Sequence, residues 1–159
     1  LPSVVGELLR RQKQTLSVAE SCTGGGLGEI ITQIAGSSDY FWGGVISYDN
    51  RVKVALLDVN ERDLNNVGAV SAIVAQQMAL GVRKRLATDW GISITGIAGP
   101  GGGSETKPVG LVYIGLADPQ GNVTVSEHRF GENRDRLTIR QISAYTALDR
   151  LRRNLLTIS

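Results

Sequence analysis

Ser21-Cys22-Thr23, followed by Gly24-Gly25-Gly26, is the first stretch whose residue types could do chemistry. It stands between the alternating segment TLSVAE (Thr15 to Glu20) and Leu27, Ile30, Ile31 and Ile34, whose spacing predicts an amphipathic helix. A hydroxyl at a strand-to-helix turn meets unpaired backbone N–H groups and the positive end of the helix dipole. There it can cap the helix, bind a phosphate, or attack as a nucleophile beside an oxyanion hole. Cys22 is a rival nucleophile in principle, but between two hydroxyls it reads better as a small packing residue.

TGIAGPGGGSETKP, from Thr95 to Pro108, is the second stretch, with five glycines between Gly96 and Gly103. Such a loop presents successive N–H donors to an anion; a flexible surface turn is the plainer reading. Lys53 is the third candidate. It follows Ser47-Tyr48-Asp49-Asn50 and lies one position off the apolar Val52. A lysine at the edge of a core can lose solvation and become a base, whereas a surface lysine only lays its stem along apolar neighbours.

What is missing narrows the chemistry. There is no G-x4-G-K-[ST] loop, and Glu29 stands where a dinucleotide fingerprint starting at Gly24 would need its last glycine. His128 is the single histidine, and its parity with Thr124 and Ser126 predicts the wet face of a strand. A Ser-His-Asp triad therefore has no histidine to use, and a serine nucleophile would need another base, lysine first. One Cys and one His exclude both a disulfide framework and a Cys/His zinc site.

These residues need a scaffold, and 159 residues with 42% hydrophobic content suffice for one core. A single domain over 1–159 is expected. The net charge of +2 is too weak to argue for nucleic acid. The basic excess is local, seven Arg against three acids from Arg129 to Arg153, fitting a solvated helix face or an anion pocket. No run of about 18 apolar residues is present, and no signal segment opens the chain. A reduced, cytoplasmic setting without membrane contact is expected. Twenty glycines, about one in eight, exceed the usual ~7%, and eleven of them fall in 24–28, 43–44 and 96–103.

Periodicity predicts a helix over 3–14 with Ser3 as cap and Val4, Val5, Leu8 and Leu9 buried. It predicts strands at 15–20, 40–48, 90–98, 109–117 and 123–130, the last two joined by a turn at DPQG. A short helix should bury Val52, Ala55 and Leu56, and 60–70 reads as turns. Ser71 should cap a helix to about Ala87. A last helix from about Asn133 to Leu155 should bury Ile139, Ile142, Tyr145, Leu148, Leu151 and Leu155. Alternating strands and helices with one late hairpin predict an α/β fold, a three-layer α/β/α sandwich on a mixed, mostly parallel sheet of about five strands. Both glycine-rich loops follow strands, so both should reach the carboxyl-end rim where such sheets bind ligands.

AESCTGG (Ala19 to Gly25), GGVISYDNRVK (Gly43 to Lys53), GAVS (Gly68 to Ser71), TGIAGPGGGSETKPVG (Thr95 to Gly110) and FGENRDR (Phe130 to Arg136) together resemble the C-terminal domain of the competence/damage-inducible protein CinA family. That domain is similar to nicotinamide-mononucleotide amidohydrolases. The likeness runs in order through nearly the whole chain. It implies the same three-layer fold and a metal-free, cofactor-free hydrolysis of a nucleotide carboxamide. It also implies Ser21 as nucleophile, Lys53 as base, and Tyr48 and Arg134 as supporting polar residues.

Substrate contacts are then expected from Cys22, Thr23, Gly24, Asn50, Thr95, Gly96, Gly101 and Gly102. The amine of Lys53 should lie within about 3.5 Å of the Ser21 hydroxyl. The expected partner is a small-molecule nucleotide, with a homo-oligomer as the assembly. A chain opening at Leu1 fits a piece of a two-domain protein whose N-terminal part resembles molybdopterin-binding proteins. A non-catalytic nucleotide-binding or regulatory module is the competing reading. If the amidase reading holds, ammonia release from nicotinamide mononucleotide should be unchanged by a chelator; loss that added zinc or magnesium restores would count against a Ser–Lys pair.

Overall fold

The computed structural model describes residues 1–158; Ser159 lies outside them. Six α-helices and five strands follow in the order α1 (Pro2–Gln12), β1 (Leu16–Glu20), α2 (Gly26–Thr32), β2 (Phe41–Ile46), α3 (Asn50–Leu57), α4 (Glu61–Val67), α5 (Ala72–Leu86), β3 (Trp90–Gly96), β4 (Leu111–Ala117), β5 (Val123–Arg129) and α6 (Arg136–Ile158). The strands form one mixed sheet in the order β2-β1-β3-β4-β5. β1 is parallel to β2 and β3, while β4 is antiparallel to β3 and β5. Four strands thus point one way and β4 alone is reversed. The carboxyl ends of β1, β2, β3 and β5 therefore share one rim with the start of β4.

Helices cover both faces, and the two faces are built differently. On one side Leu16, Val18, Ile92, Ile94, Val112 and Ile114 pack against α1, α2 and α6 through Val5, Leu9, Leu27, Ile31, Ile139, Leu148 and Leu151. On the other, Ala19 meets Leu57, Leu64, Val74, Met78 and Val82 of α3, α4 and α5. Small residues make that second floor. An added Cβ at Gly91 would stand 2.4 Å from the Ala79 carbonyl, and one at Gly115 2.6 Å from that of Ala75. The Ser93 hydroxyl donates to the Ala75 carbonyl at 2.6 Å. α5 can lie this close only because the strands beneath it carry almost no side chain.

Several local expectations change. Pro2, not Ser3, starts α1, with Leu1 at the cap position, because its fixed φ suits the first helical turn; Val4 of that helix is exposed. The 60–70 segment holds α4, started by Asn60, whose side chain accepts from Asp63 N; only Leu64 of it is buried, too little for a periodic signal. Ser71 occupies the cap position of α5, but its hydroxyl donates to the Gly68 carbonyl instead. α6 begins at Arg136 because Asp135 accepts from Thr138 N at 2.7 Å, and Tyr145 is exposed while Ser143, Ala144 and Ala147 are buried. His128 is half-buried and stacked on Phe130. Arg150 of α6 lies over that face of β5, donating to Thr124 Oγ1 and the Ile114 carbonyl. Burial, with Arg150 adding to it, lowers the His128 pKa. No helix among the described residues is long and apolar enough to cross a membrane.

The close floor generates a stability prediction. Gly91→Ala should destabilise by about 1–3 kcal/mol or more in urea melts, because backbone must move. Gly26→Ala, with nothing within 4 Å of its added Cβ, should change stability by less than about 0.5 kcal/mol. Similar values for the two would show that α5 is free to shift.

Candidate active site

Three strand ends assemble the site. β1 ends at Glu20, and the next residue, Ser21, is held by its own N–H, which donates to the Ile94 carbonyl of β3 at 3.0 Å. Ser47, just past β2, donates its N–H to the Glu20 carbonyl at 2.8 Å. Asp49 then caps α3 by accepting from Arg51 N. The helix turns Lys53 and Leu57 inward, both 1% exposed, and leaves Ala55 and Leu56 outward. That is a rotation from the expected face. RVKVALL offers two possible apolar stripes, and hydrogen bonding at the end of Lys53 goes with the one observed.

Lys53 Nζ lies 2.9 Å from Ser21 Oγ and donates to the carbonyls of Ser47 and, at 3.3 Å, Tyr48. Burial pushes its ammonium down to about 8, opposed in part by the Asp49 carboxylate. The two carbonyls can only accept. A neutral amine therefore uses its two N–H bonds on them and turns its lone pair toward Ser21 Oγ. This arrangement can take a proton from the Ser21 hydroxyl.

The turn after Ser21 supplies donors. Gly24 has φ +56°, which glycine adopts without strain, and its N–H is taken by the Ser21 carbonyl at 3.1 Å. No backbone or side-chain oxygen among the described residues accepts from the N–H groups of Cys22 and Thr23. The Cys22 thiol is buried, with its pKa pushed up to about 12, chiefly by that burial, so it stays protonated and is no rival nucleophile.

A cleft of about 200 Å³ holds Ser21, Cys22, Tyr48, Gly96, Gly101, Gly102 and Arg136. It adjoins a hollow of about 860 Å³ that shares Gly101, Gly102 and Arg136 and adds Glu105, Glu132, Arg134 and Asp135. Arg136 bridges the mouth, donating to the Gly99 carbonyl at 2.8 Å and to Tyr48 Oη at 3.2 Å.

The structure thus brings together Ser21, Lys53, Tyr48, Gly96, Gly101 and Gly102 with the Cys22–Gly24 turn. Arg134 lies beyond the cleft, in the larger hollow. Thr95 is buried and donates its hydroxyl to the Ala69 carbonyl at 3.0 Å, away from the cleft. Thr23 Oγ1 is buried without a partner. Asn50 faces a separate hollow against α4. Arg136 was not singled out from the sequence. The signal for it was the helix start: Asp135 is the capping residue, so the first helical guanidinium is that of Arg136.

The sequence profile described as the CinA C-terminal domain matches residues 1–155. The chain belongs to this CinA family. It is 94% identical over its full length to a CinA-like protein of Microcystis aeruginosa. It is 69% identical over 99% of its length to one from Nostoc punctiforme. The chain spans 38% of the length of each of these curated relatives. Among solved structures it is similar to a competence/damage inducible protein, CihA, of Agrobacterium tumefaciens, with TM-score 0.86, 41% identity and 93% of each chain covered. It is also similar to a CinA superfamily protein of Klebsiella pneumoniae, with TM-score 0.93 and 28% identity over 98% of this chain and 96% of that one.

The buried amine generates a pH prediction for this CinA domain. An unfolded chain holds the Lys53 proton up to about pH 10.5, the folded chain only to about pH 8. Between those values unfolding takes up a proton, so stability rises with pH, by at most about 1.4 kcal/mol per pH unit. Lys53→Met removes this contribution. Denaturant melts at about pH 7.5 and about pH 9.5 should show wild type gaining relative to the variant. A constant difference would mean that the amine keeps its proton throughout.

Proposed function

We propose that this chain hydrolyses the carboxamide of nicotinamide mononucleotide to nicotinate mononucleotide and ammonia, in a cytoplasmic setting. The observation that carries the reaction type is the 2.9 Å approach of a buried, low-pKa lysine to a serine at a strand-to-helix turn. Neutral Lys53 takes the Ser21 proton as Oγ attacks the amide carbon. The N–H groups of Cys22 and Thr23 receive the developing oxyanion. The Lys53 ammonium returns its proton to the leaving nitrogen and ammonia departs. A water, deprotonated by Lys53, then cleaves the ester, and Ser21 regains its proton.

The substrate class rests on the resemblance to nicotinamide-mononucleotide amidohydrolases, supported by the shape of the site. A cleft of about 200 Å³ suits a pyridine carboxamide, and the adjoining hollow offers Arg134 and Arg136 to a phosphate. Tyr48 Oη, held by Arg136, can border the ring.

An ammonia assay with nicotinamide mononucleotide tests the proposal. Ser21→Ala and Lys53→Met should each lower kcat by about 10³-fold or more while the folded circular-dichroism signal is kept. His128→Ala should stay within about twofold of wild type. kcat/KM should rise with pH through a midpoint of about 8, the value set by Lys53. Binding of the nucleotide by wild type without any ammonia would make the domain a binding module instead.

A further inference from the structure

Glu20 is a carboxylate at 2% exposure that the reaction above does not use. It ends β1 directly before Ser21. Its side chain reaches forward to α2, where Oε1 accepts from Leu27 N at 2.8 Å and Oε2 from Gly28 N at 3.0 Å. The cap position of α2 is Gly25, which has no side chain to satisfy these donors. The capping group therefore comes from the residue ahead of the nucleophile, seven and eight positions back. Two charge-assisted hydrogen bonds close a loop around Ser21, Cys22, Thr23, Gly24 and Gly25.

Three further contacts brace the same loop. The Glu20 carbonyl accepts from Ser47 N, and the Ser47 carbonyl accepts from Lys53 Nζ. From the opposite side Arg140 Nη2 donates to the Thr23 carbonyl at 3.0 Å. A single buried carboxylate thus ties the turn that carries the nucleophile and the free N–H groups of Cys22 and Thr23 to the helix behind it. The turn has three consecutive glycines, Gly24 to Gly26, and little stiffness of its own. We propose that Glu20 is a positioning residue that holds the Ser21–Gly25 turn in its oxyanion-binding geometry. The inference rests on the Ser21–Lys53 reading, and its test includes a readout that does not need the nucleotide.

Glu20→Gln keeps the shape but puts an amide NH₂ against one backbone N–H, and Glu20→Asp keeps the charge but shortens the reach. Both variants are compared with wild type in two assays: ammonia release from nicotinamide mononucleotide, and the rate at which a fluorophosphonate labels Ser21, followed by intact mass. Displaced oxyanion donors should lower kcat and the labelling rate together by about ten- to a hundredfold. The KM, the affinity for nicotinate mononucleotide and the midpoint of the pH profile should stay within about twofold of wild type, since Lys53 and the cleft walls outside the turn, with Arg134 and Arg136, are untouched. If wild type is labelled but releases no ammonia, the amidase reading fails while a slowed labelling of the variants still supports Glu20. Wild-type labelling rates in folded variants, a pH midpoint that moves with kcat, or no labelling of wild-type Ser21 would overturn the proposal. Failure of both variants to fold would also overturn it, because the carboxylate would then be a structural cap.

Discussion

The burial of one amine organises this molecule. Lys53 Nζ sits inside the fold with the Ser47 and Tyr48 carbonyls and Ser21 Oγ around it. A buried amine without such partners costs several kcal/mol, so the fold has to deliver all of them at once. Delivering the carbonyls fixes the exit of β2, which is pinned by Ser47 N–H to the end of β1. Delivering the hydroxyl fixes the exit of β1, pinned by Ser21 N–H to β3. The register of three parallel strands and the rotation of α3 about its axis are therefore conditions on one functional group. Core and site share the same constraints here, and the lowered pKa of the lysine follows from the same burial.

The two sides of the sheet divide the remaining work. Branched side chains facing α1, α2 and α6 supply most of the apolar burial. The floor under α5 is nearly bare, so that this helix meets the strands through its backbone and through serine hydroxyls. The reversal of β4 matters as much as the packing. It keeps the chain on the rim through residues 97–110, and it makes β5 end there too, so the Gly-rich loop and the start of α6 face each other across the cleft. Arg136 spans that gap by bonding to Gly99 and Tyr48.

Much of this was legible in the sequence because the signals were local. The i, i+3, i+4 pattern after Gly26 and the DPQG turn each needed only neighbouring residues. The turn's Asp118 accepts from Gln120 N and Asn122 N as that tetrapeptide suggests. The serine turn and the glycine-rich loop stood out by composition, and the lysine by elimination of histidine. What was not legible depended on contacts between distant elements. The face that α3 presents depends on carbonyls outside the helix. His128 looked wet until α6 was laid over β5. Thr95 looked like part of a ligand loop, yet its hydroxyl is spent on Ala69, 26 positions away. The carboxylate of Glu20 gave no signal because its partners are N–H groups that only a formed α2 presents.

The state of Cys22 has a practical side. The single sulfhydryl of the chain is nine-tenths shielded and stays protonated far above neutral pH, so alkylating reagents find no thiolate on the native fold. The wild-type domain is thereby a blank background for spectroscopy. A cysteine introduced at an exposed point such as Trp42 on the edge strand becomes the one reactive handle, and a fluorophore or spin label placed there can report on that edge of the sheet without first deleting a native residue.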